Sequence, residues 1–261
     1  MSAGQTNAHP SGTPALPPIA WPIVGAAGAL VAGAWAATLL TSDDFSALMM
    51  IPIGAAAPAE AAAFVALSGV MMVAMMLPSA LPMVEAHRGL VKLQEGPREA
   101  LVESAIFGSA YLAVWMATTA ISLPVLVALG IVGAMGGWAA YSPGAILVAA
   151  GLYQFTSWKQ FCLRHCRSPL GFIQTHYRKG RAGALRMGLS HATYCLGCCW
   201  LLMLVWFVAG SMSALWMGVF AAFILGEKVW SRGEMLSRAM GTAALAAGTL
   251  SLYLTYSLSA M

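Results

Sequence analysis

The chain has 261 residues, of which 60% are hydrophobic and only 8% are charged, and its mean hydropathy is +0.77. Soluble domains carry about a quarter charged residues, so this composition excludes an ordinary soluble protein and predicts an all-α helix bundle that spans a membrane several times. The net charge of +4 comes with no nucleic-acid-binding motif, and the five cysteines lack the spacing of a secreted disulfide framework.

The chain begins with 19 residues rich in Pro, Ser, Gly and Thr, a composition that predicts a disordered N-terminal tail. An apolar segment from Trp21 to Leu40 follows, about as long as a bilayer is thick. Because no basic residues precede it, we expect a retained membrane helix rather than a cleaved secretory signal. Residues 20–261 are predicted to form a single transmembrane domain with a motif-bearing core at residues 65–230.

Apolar windows of about 20 residues recur along the chain. The seven windows lie at residues 20–40, 61–83, 101–129, 143–163, 188–210, 212–227 and 239–258. Pro78 and Pro82 are expected to interrupt the second window, and Pro124 to kink the third or mark its end. The windows therefore predict about seven transmembrane helices.

The basic residues indicate the orientation of these helices. Three lie between the second and third windows, seven around the connection between the fourth and fifth, and three after the sixth, which accounts for all 13. Seven spans put these connections on one side of the membrane, and the positive-inside rule makes that side cytoplasmic. We therefore expect a protein of the bacterial inner (cytoplasmic) membrane with its N-terminus in the cytoplasm and its C-terminus outside.

Methionines are concentrated in the second window. They are Met71, Met72, Met75, Met76 and Met83. The two pairs are four residues apart, so they share one face of a helix. Thioethers are soft ligands that select Cu(I) over harder ions, which makes these residues candidate metal ligands. The alternative is ordinary apolar filling of a helix interface.

Two cysteines lie near the end of the fourth window. Cys162 and Cys166 are one helical turn apart, and His165 lies between them. Thiolates at this spacing suit a metal site, and the neighbouring Arg164 and Arg167 are expected to favour the deprotonated form. The alternative is two buried, inert cysteines beside a basic membrane-anchoring loop.

The fifth window contains the remaining thiols. His191, Cys195 and Cys198 follow the pattern i, i+4, i+7, so one helix face can supply three ligands, with Cys199 at its edge. An ionisable histidine in an otherwise apolar span indicates a functional site. The alternative is that the cysteines act as small apolar residues and the histidine makes an interhelical hydrogen bond.

Helical rise predicts two groups of ligands at different depths. Counting inward at about 1.5 Å per residue places Cys195–Cys199 and the double methionines at a similar depth, near the middle of the bilayer. Met83, Cys162, Cys166 and His191 lie nearer the cytoplasmic surface by the same count. If the helices are adjacent, the sequence therefore predicts two stations of soft ligands along one path.

One acid and one base end the sixth window. We expect Glu227 and Lys228 to form a surface ion pair or a membrane anchor, since a long lysine side chain can extend to the interface. A structural brace for the metal site is the alternative.

Four segments carry a resemblance to a known family: MMVAMMLPSALPM, YQFTSWKQFCLRHCRSPLGF, HATYCLGCCWLLM and WMGVFAAFILGEK. They resemble a bacterial family of uncharacterised integral membrane proteins that are predicted to bind metals. The resemblance covers about residues 65–230 and implies a polytopic helical fold that handles a metal ion. Members of that family often carry a Met-, Asp- and Gly-rich outer loop after the first span. Here that loop retains Asp43, Asp44, Met49 and Met50.

The residues together predict a membrane protein that binds a soft metal ion for transport or delivery. Cu(I) is favoured, with zinc or an iron–sulfur cluster as further options. The expected partners are the lipid bilayer and a metal chaperone or membrane metalloenzyme. No Walker-type loop or phosphorylated-Asp domain indicates an ATP-driven pump, and we do not expect an enzyme.

Two other functions fit the cysteine pattern. A membrane thiol–disulfide oxidoreductase would use the pairs Cys195/Cys198 and Cys162/Cys166. Their predicted placement at the midplane and the cytoplasmic end disfavours this function, because exchange needs a thiol pair that is reachable from the outer face. A non-catalytic scaffold subunit, in which the cysteines only pack, is the other alternative.

Overall fold

The computed structural model describes residues 21–50, 58–129, 131–133, 140–208 and 214–259. The predicted tail, residues 1–19, lies outside these ranges. The described residues form ten helices: α1 Trp21–Leu40, α2 Ser42–Met50, α3 Pro58–Glu95, α4 Pro97–Ala128, α5 Ser142–Gln154, α6 Ser157–Arg167, α7 Pro169–His176, α8 Arg181–Val208, α9 Ala214–Val229 and α10 Gly233–Ser259. The all-α prediction is confirmed.

Among the described helices, three are long and apolar enough to cross a membrane, namely α3, α4 and α8. The count rises to four if α1 and α2, which meet at an angle of 58°, are taken as one span. α5 and α9 have 13 and 16 residues, shorter than the roughly 20 that a bilayer core requires. α10 has 27 residues but is less apolar. The structure thus supports fewer spans than the seven predicted.

α3 continues without a break through both of its prolines, so the predicted interruption at Pro78 and Pro82 is wrong. Neighbouring helices and hydroxyl side chains can compensate for the backbone hydrogen bonds that proline removes. α3 packs along α4, and the Ser79 hydroxyl donates to the Met76 carbonyl at 2.8 Å. With 38 residues α3 is about 57 Å long, well beyond a bilayer core of about 30 Å.

The fourth predicted span is divided into two helices, which corrects the window at residues 143–163. α5 ends at Gln154, and the side chain of Thr156 caps α6 by accepting a hydrogen bond from the Lys159 backbone N–H. A hydroxyl at this position satisfies one of the free amides at a helix start, so the chain begins a new helix here.

The packing between α5 and α10 depends on small residues. A Cβ added at Gly151 would lie 2.8 Å from the Gly241 carbonyl oxygen, and one at Gly144 would lie 3.1 Å from the Gly248 carbonyl oxygen. Glycines allow this close approach of backbones, which is a common way for helices to associate in membranes. α5 also packs on α8, and α8 in turn packs on α4.

Three connections of the chain meet at one end of the molecule, which we call the basic end. The ion pairs that join them are Lys179–Glu95 at 3.9 Å, Arg181–Glu99 at 3.2 Å and Arg167–Glu234 at 4.0 Å. They link the α3–α4 turn to the start of α8, and the end of α6 to the start of α10. The basic segments on these connections therefore lie near one another.

Candidate metal site

Three cysteines of α8 form the centre of the candidate site. The Sγ atoms of Cys195, Cys198 and Cys199 lie within 4.8 Å of one another, and the Cys198–Cys199 separation is 3.2 Å. Their exposed fractions are 0%, 1% and 1%, and all three thiols are free. One helix brings them together because they occupy positions i, i+3 and i+4, which share a face. We call these three residues the thiol cluster.

α6 adds a fourth sulfur. The Sγ atom of Cys166 lies 4.0 Å from that of Cys198, so Cys166 is part of the same site. Cys162, one turn earlier, faces Gly197, where an added Cβ would lie only 2.6 Å from the Cys162 Sγ atom. The absence of a side chain at Gly197 thus permits α6 to approach α8. The prediction that Cys166 belongs to a separate group of ligands nearer the cytoplasmic surface is therefore wrong.

A buried lysine contacts the thiol cluster. The Lys228 Nζ atom lies 2.9 Å from the Cys195 Sγ atom and 2.8 Å from the Ser79 hydroxyl. Glu227, also buried, pairs instead with Lys159 at 3.0 Å. The prediction of a surface ion pair or membrane anchor is therefore wrong, because α9 packs against α3 and both charged side chains are buried. Burial of these charges requires such partners.

The arginines beside Cys166 have other roles than predicted. Arg164 is exposed, and Arg167 donates to the carbonyl oxygens of Trp230 and Ser231 at 2.9 and 2.8 Å. Arg167 thus holds the α9–α10 turn against α6. Among the described residues, the ammonium in contact with a sulfur is that of Lys228.

A tyrosine of α4 connects the thiols to the histidine of α8. The Tyr111 hydroxyl lies 3.1 Å from the Cys195 Sγ atom and 3.3 Å from the Met76 carbonyl oxygen. Its ring stacks on His191 with centroids 5.5 Å apart. His191 is 1% exposed, and neither of its ring nitrogens has a hydrogen-bond partner among the described residues. The imidazole is therefore available as a ligand one helical turn from Cys195.

The methionines divide between two apolar clusters. Four of them share the large core cluster that contains the thiols: Met71, Met72, Met75 and Met76. Met83 lies in a smaller cluster with Phe107 and Phe172. All five are almost fully buried. The structure thus brings the double methionines and the cysteines into one core and places Met83 apart.

Sequence reasoning missed Tyr111 and Ser79 and misread Lys228. A lone tyrosine in an apolar helix carries no periodic signal, and a serine between two prolines looks like part of a helix break. The adjacent Glu227 and Lys228 were a usable signal, since charges are rare in apolar helices and usually functional there.

The site contains four cysteine sulfurs, one ammonium and an imidazole that has no hydrogen-bond partner in the described part of the chain. These groups, enclosed by apolar helices, indicate a helical metal-handling protein. Residues 65–251 match the PpoB2 family, whose description is copper chaperone. This match covers more than half of the chain, which therefore belongs to the PpoB2 family of copper chaperones. No curated protein and no solved structure matches it.

Proposed function

We propose that this protein is an integral membrane copper chaperone that binds Cu(I) at the thiol cluster and delivers it to a partner. The observation that carries this proposal is the approach of three buried thiols to within 4.8 Å of one another. Soft thiolate ligands favour Cu(I), and the family description names the same metal. Zinc and iron–sulfur clusters use the same ligand type, so copper rests on the softness of the site and on the family.

Further ligands come from the groups nearest to these thiols. The Cys166 sulfur lies 4.0 Å from that of Cys198, and both ring nitrogens of His191 lack a hydrogen-bond partner among the residues that the structure describes. The double methionines of α3 occupy the same core and offer thioethers along the way to the cluster. Cys162 and Met83 complete the candidate set at its edge. A series of soft ligands is what a chaperone needs, since it must accept an ion and release it again.

Lys228 supplies the charge that the bound state requires. Thiolates that bind Cu(I) carry more negative charge than the ion neutralises, and a buried excess charge is costly without a counter-charge. The ammonium group 2.9 Å from Cys195 provides it. The Ser79 hydroxyl, 2.8 Å from the same nitrogen, orients the ammonium toward the sulfur.

In this proposal the basic connections lie on one side of the membrane. The three ion pairs that gather these connections at one end support that arrangement. We place this basic end in the cytoplasm of a bacterial cell, at the inner membrane. The part of α3 and α4 that exceeds the bilayer thickness then extends into the cytoplasm.

Delivery, rather than redox chemistry, agrees with the burial of the thiols. Exchange of disulfides with a partner protein requires an accessible thiolate. Cys195 and Cys198 are 0% and 1% exposed, so a protein partner does not reach them without movement of the surrounding helices. A metal ion is small enough to pass between helices. The partner that receives it is expected to be a second metal chaperone or a membrane metalloenzyme.

Copper analysis of the purified protein tests this proposal. Under anaerobic, reducing conditions the detergent-solubilised wild type is expected to retain copper through size-exclusion chromatography, measured by elemental analysis. Cys195→Ser combined with Cys198→Ser should lose it, whereas Thr193→Ser, an exposed position on the same helix, should not. Equal copper content in the wild type and the double variant would overturn the proposal.

A further inference from the structure

A second cluster of polar groups is buried between α3 and α4, apart from the thiols. His87 and Glu103 are both 0% exposed, and the His87 Nε2 atom lies 3.7 Å from the Glu103 Oε2 atom. This separation exceeds hydrogen-bond length. Both imidazole nitrogens and both carboxylate oxygens lack a hydrogen-bond partner within the described part of the chain.

Four unpartnered polar atoms in one buried place require an explanation. Buried polar side chains are almost always hydrogen-bonded, because a lost hydration shell must be replaced. Here aromatic rings occupy the neighbouring space: Phe107 lies 5.5 Å from the His87 ring and Tyr177 lies 6.2 Å from it, between centroids. The Tyr177 hydroxyl donates to Gln94 rather than to the pair. These rings exclude solvent without satisfying the polar atoms.

The electrostatic surroundings of the pair favour a cation. Two cations at this end, Lys179 and Arg181, are engaged with Glu95 and Glu99 and act on the Glu103 carboxylate only from a distance. Among the described residues, the basic group at ion-pair distance from this carboxylate is the His87 imidazole. An added positive charge would therefore interact strongly with it in this low-dielectric setting.

We propose that His87 and Glu103 form a second metal site, which binds a borderline divalent transition-metal ion such as Zn²⁺ or Cu²⁺. Imidazole nitrogen and carboxylate oxygen are ligands for these ions, whereas the sulfur-rich thiol cluster selects the softer Cu(I). A bound ion would satisfy the carboxylate and the imidazole at once.

The position of this site suggests exchange rather than storage. His87 lies about 12 Å along α3 from Ser79, the residue that contacts Lys228, and toward the basic end. Two protein ligands leave several coordination positions open, so the ion is held weakly and can be passed on. Because it uses other residues and another class of ion, this site does not depend on copper binding by the thiols.

Zinc binding in competition with a chromophoric chelator tests the inference. The probe is Zn²⁺, which has no redox chemistry, and the protein is the full chain in detergent. The Cys195→Ser/Cys198→Ser variant is expected to bind one Zn²⁺ ion. Adding Glu103→Gln, which keeps the side-chain volume, should weaken that binding by at least about 10-fold, because loss of a direct ligand has at least the effect of losing an outer partner. His87→Gln is expected to have the same effect.

Matched variants separate this inference from the proposed function. Glu99→Gln, one turn earlier on α4 and partly exposed, should leave Zn²⁺ binding unchanged. Glu103→Gln alone should leave Cu(I) binding by the thiol cluster unchanged, so each site can fail without the other. Unaltered Zn²⁺ affinity after both Glu103→Gln and His87→Gln would overturn the inference.

Co²⁺ in place of Zn²⁺ gives a readout that a structural role does not affect. The double cysteine variant with Co²⁺ should show weak ligand-field bands and no thiolate-to-metal charge transfer, since the ligands are nitrogen and oxygen. Zn²⁺ should also raise the unfolding temperature of this variant but not that of the variant with Glu103→Gln added. Charge-transfer absorption, or equal stabilisation of both variants, would contradict the assignment.

Discussion

The thiol cluster and the His87–Glu103 pair are equally buried but differ in how their polar groups are satisfied. Around Cys195, an ammonium and a phenol hydroxyl lie within 3.1 Å of the sulfur. Around Glu103, neither carboxylate oxygen has a hydrogen-bond partner among the described residues, and the imidazole nitrogen of His87 lies 3.7 Å away. The first site is held together by its own side chains, whereas the second requires an added ion to be satisfied.

This difference explains why two kinds of metal site can exist in one bundle. Sulfur tolerates an apolar setting because a thiol is weakly polar, so several can be buried together at little cost. Carboxylate and imidazole do not tolerate it, and their burial costs stability unless an ion or hydrogen bond compensates. Dense sulfur thus predicts tight binding, and sparse nitrogen and oxygen predict weak, exchangeable binding.

The largest expected effect comes from removing thiol ligands, which leaves the thiol cluster with as few strong ligands as the His87–Glu103 pair. Cys195→Ser with Cys198→Ser should lower Cu(I) affinity by more than about 100-fold, since loss of direct ligands exceeds the effect of outer partners. Competition with a Cu(I)-specific chelator measures the affinity. Far-UV circular dichroism of both proteins controls for folding, and a change below tenfold would mean that these thiols are not the principal ligands.

Removing the cation should make the two sites electrostatically alike. Lys228→Met keeps the length of the side chain but removes the ammonium, and should lower Cu(I) affinity roughly 10- to 100-fold. The control is Arg164→Met, an exposed basic residue two positions from Cys166, which should have no effect. Equal losses in both variants would show that general positive charge matters and that the Lys228 contact does not.

The approach of α6 to α8 can be changed by one methyl group. Gly197→Ala places a Cβ 2.6 Å from the Cys162 sulfur and should destabilise the protein by about 1–3 kcal/mol, typical of overpacking. It should also weaken Cu(I) binding by moving Cys166 away from Cys198. Thermal unfolding and chelator competition measure the two effects. At Gly108 a Cβ has no atom within 4 Å, so Gly108→Ala should be neutral or stabilising.

The smallest effect is expected at the surface above the pair. Arg181 and Glu99 have side chains 63% and 35% exposed, and such ion pairs contribute about 0–1 kcal/mol. Glu99→Gln should therefore lower the free energy of unfolding by less than about 1 kcal/mol, and this loss should shrink in high salt. A larger loss, insensitive to salt, would mean that this ion pair braces the buried pair below it.

The helical fold and the thiol face of α8 were predictable because both depend on local sequence. Long apolar segments indicate helices whatever surrounds them. The spacing of His191, Cys195 and Cys198 follows from the helix period alone. The same argument correctly paired Cys162 with Cys166 on one face of α6, where both are buried.

The remaining features depend on contacts between distant segments. A lysine at the end of an apolar helix extends to the surface or inward according to what packs against it, and here Ser79 and Cys195 receive it. Prolines break a helix unless neighbours support it, as α4 supports α3. His87 and Glu103 were not recognised because 16 positions separate them and neither belongs to a local pattern.

Lys228 is synthesised after both residues that it contacts, Ser79 and Cys195. It follows Cys195 by 33 positions and Ser79 by 149 positions in the chain. The thiols therefore emerge from the ribosome before Lys228 does, so α8 is free to pack before α9, which carries their counter-ion. Until α9 docks, the cysteines lack their cation and part of their cover, so the interval before docking is the time when a nascent chain exposes them most.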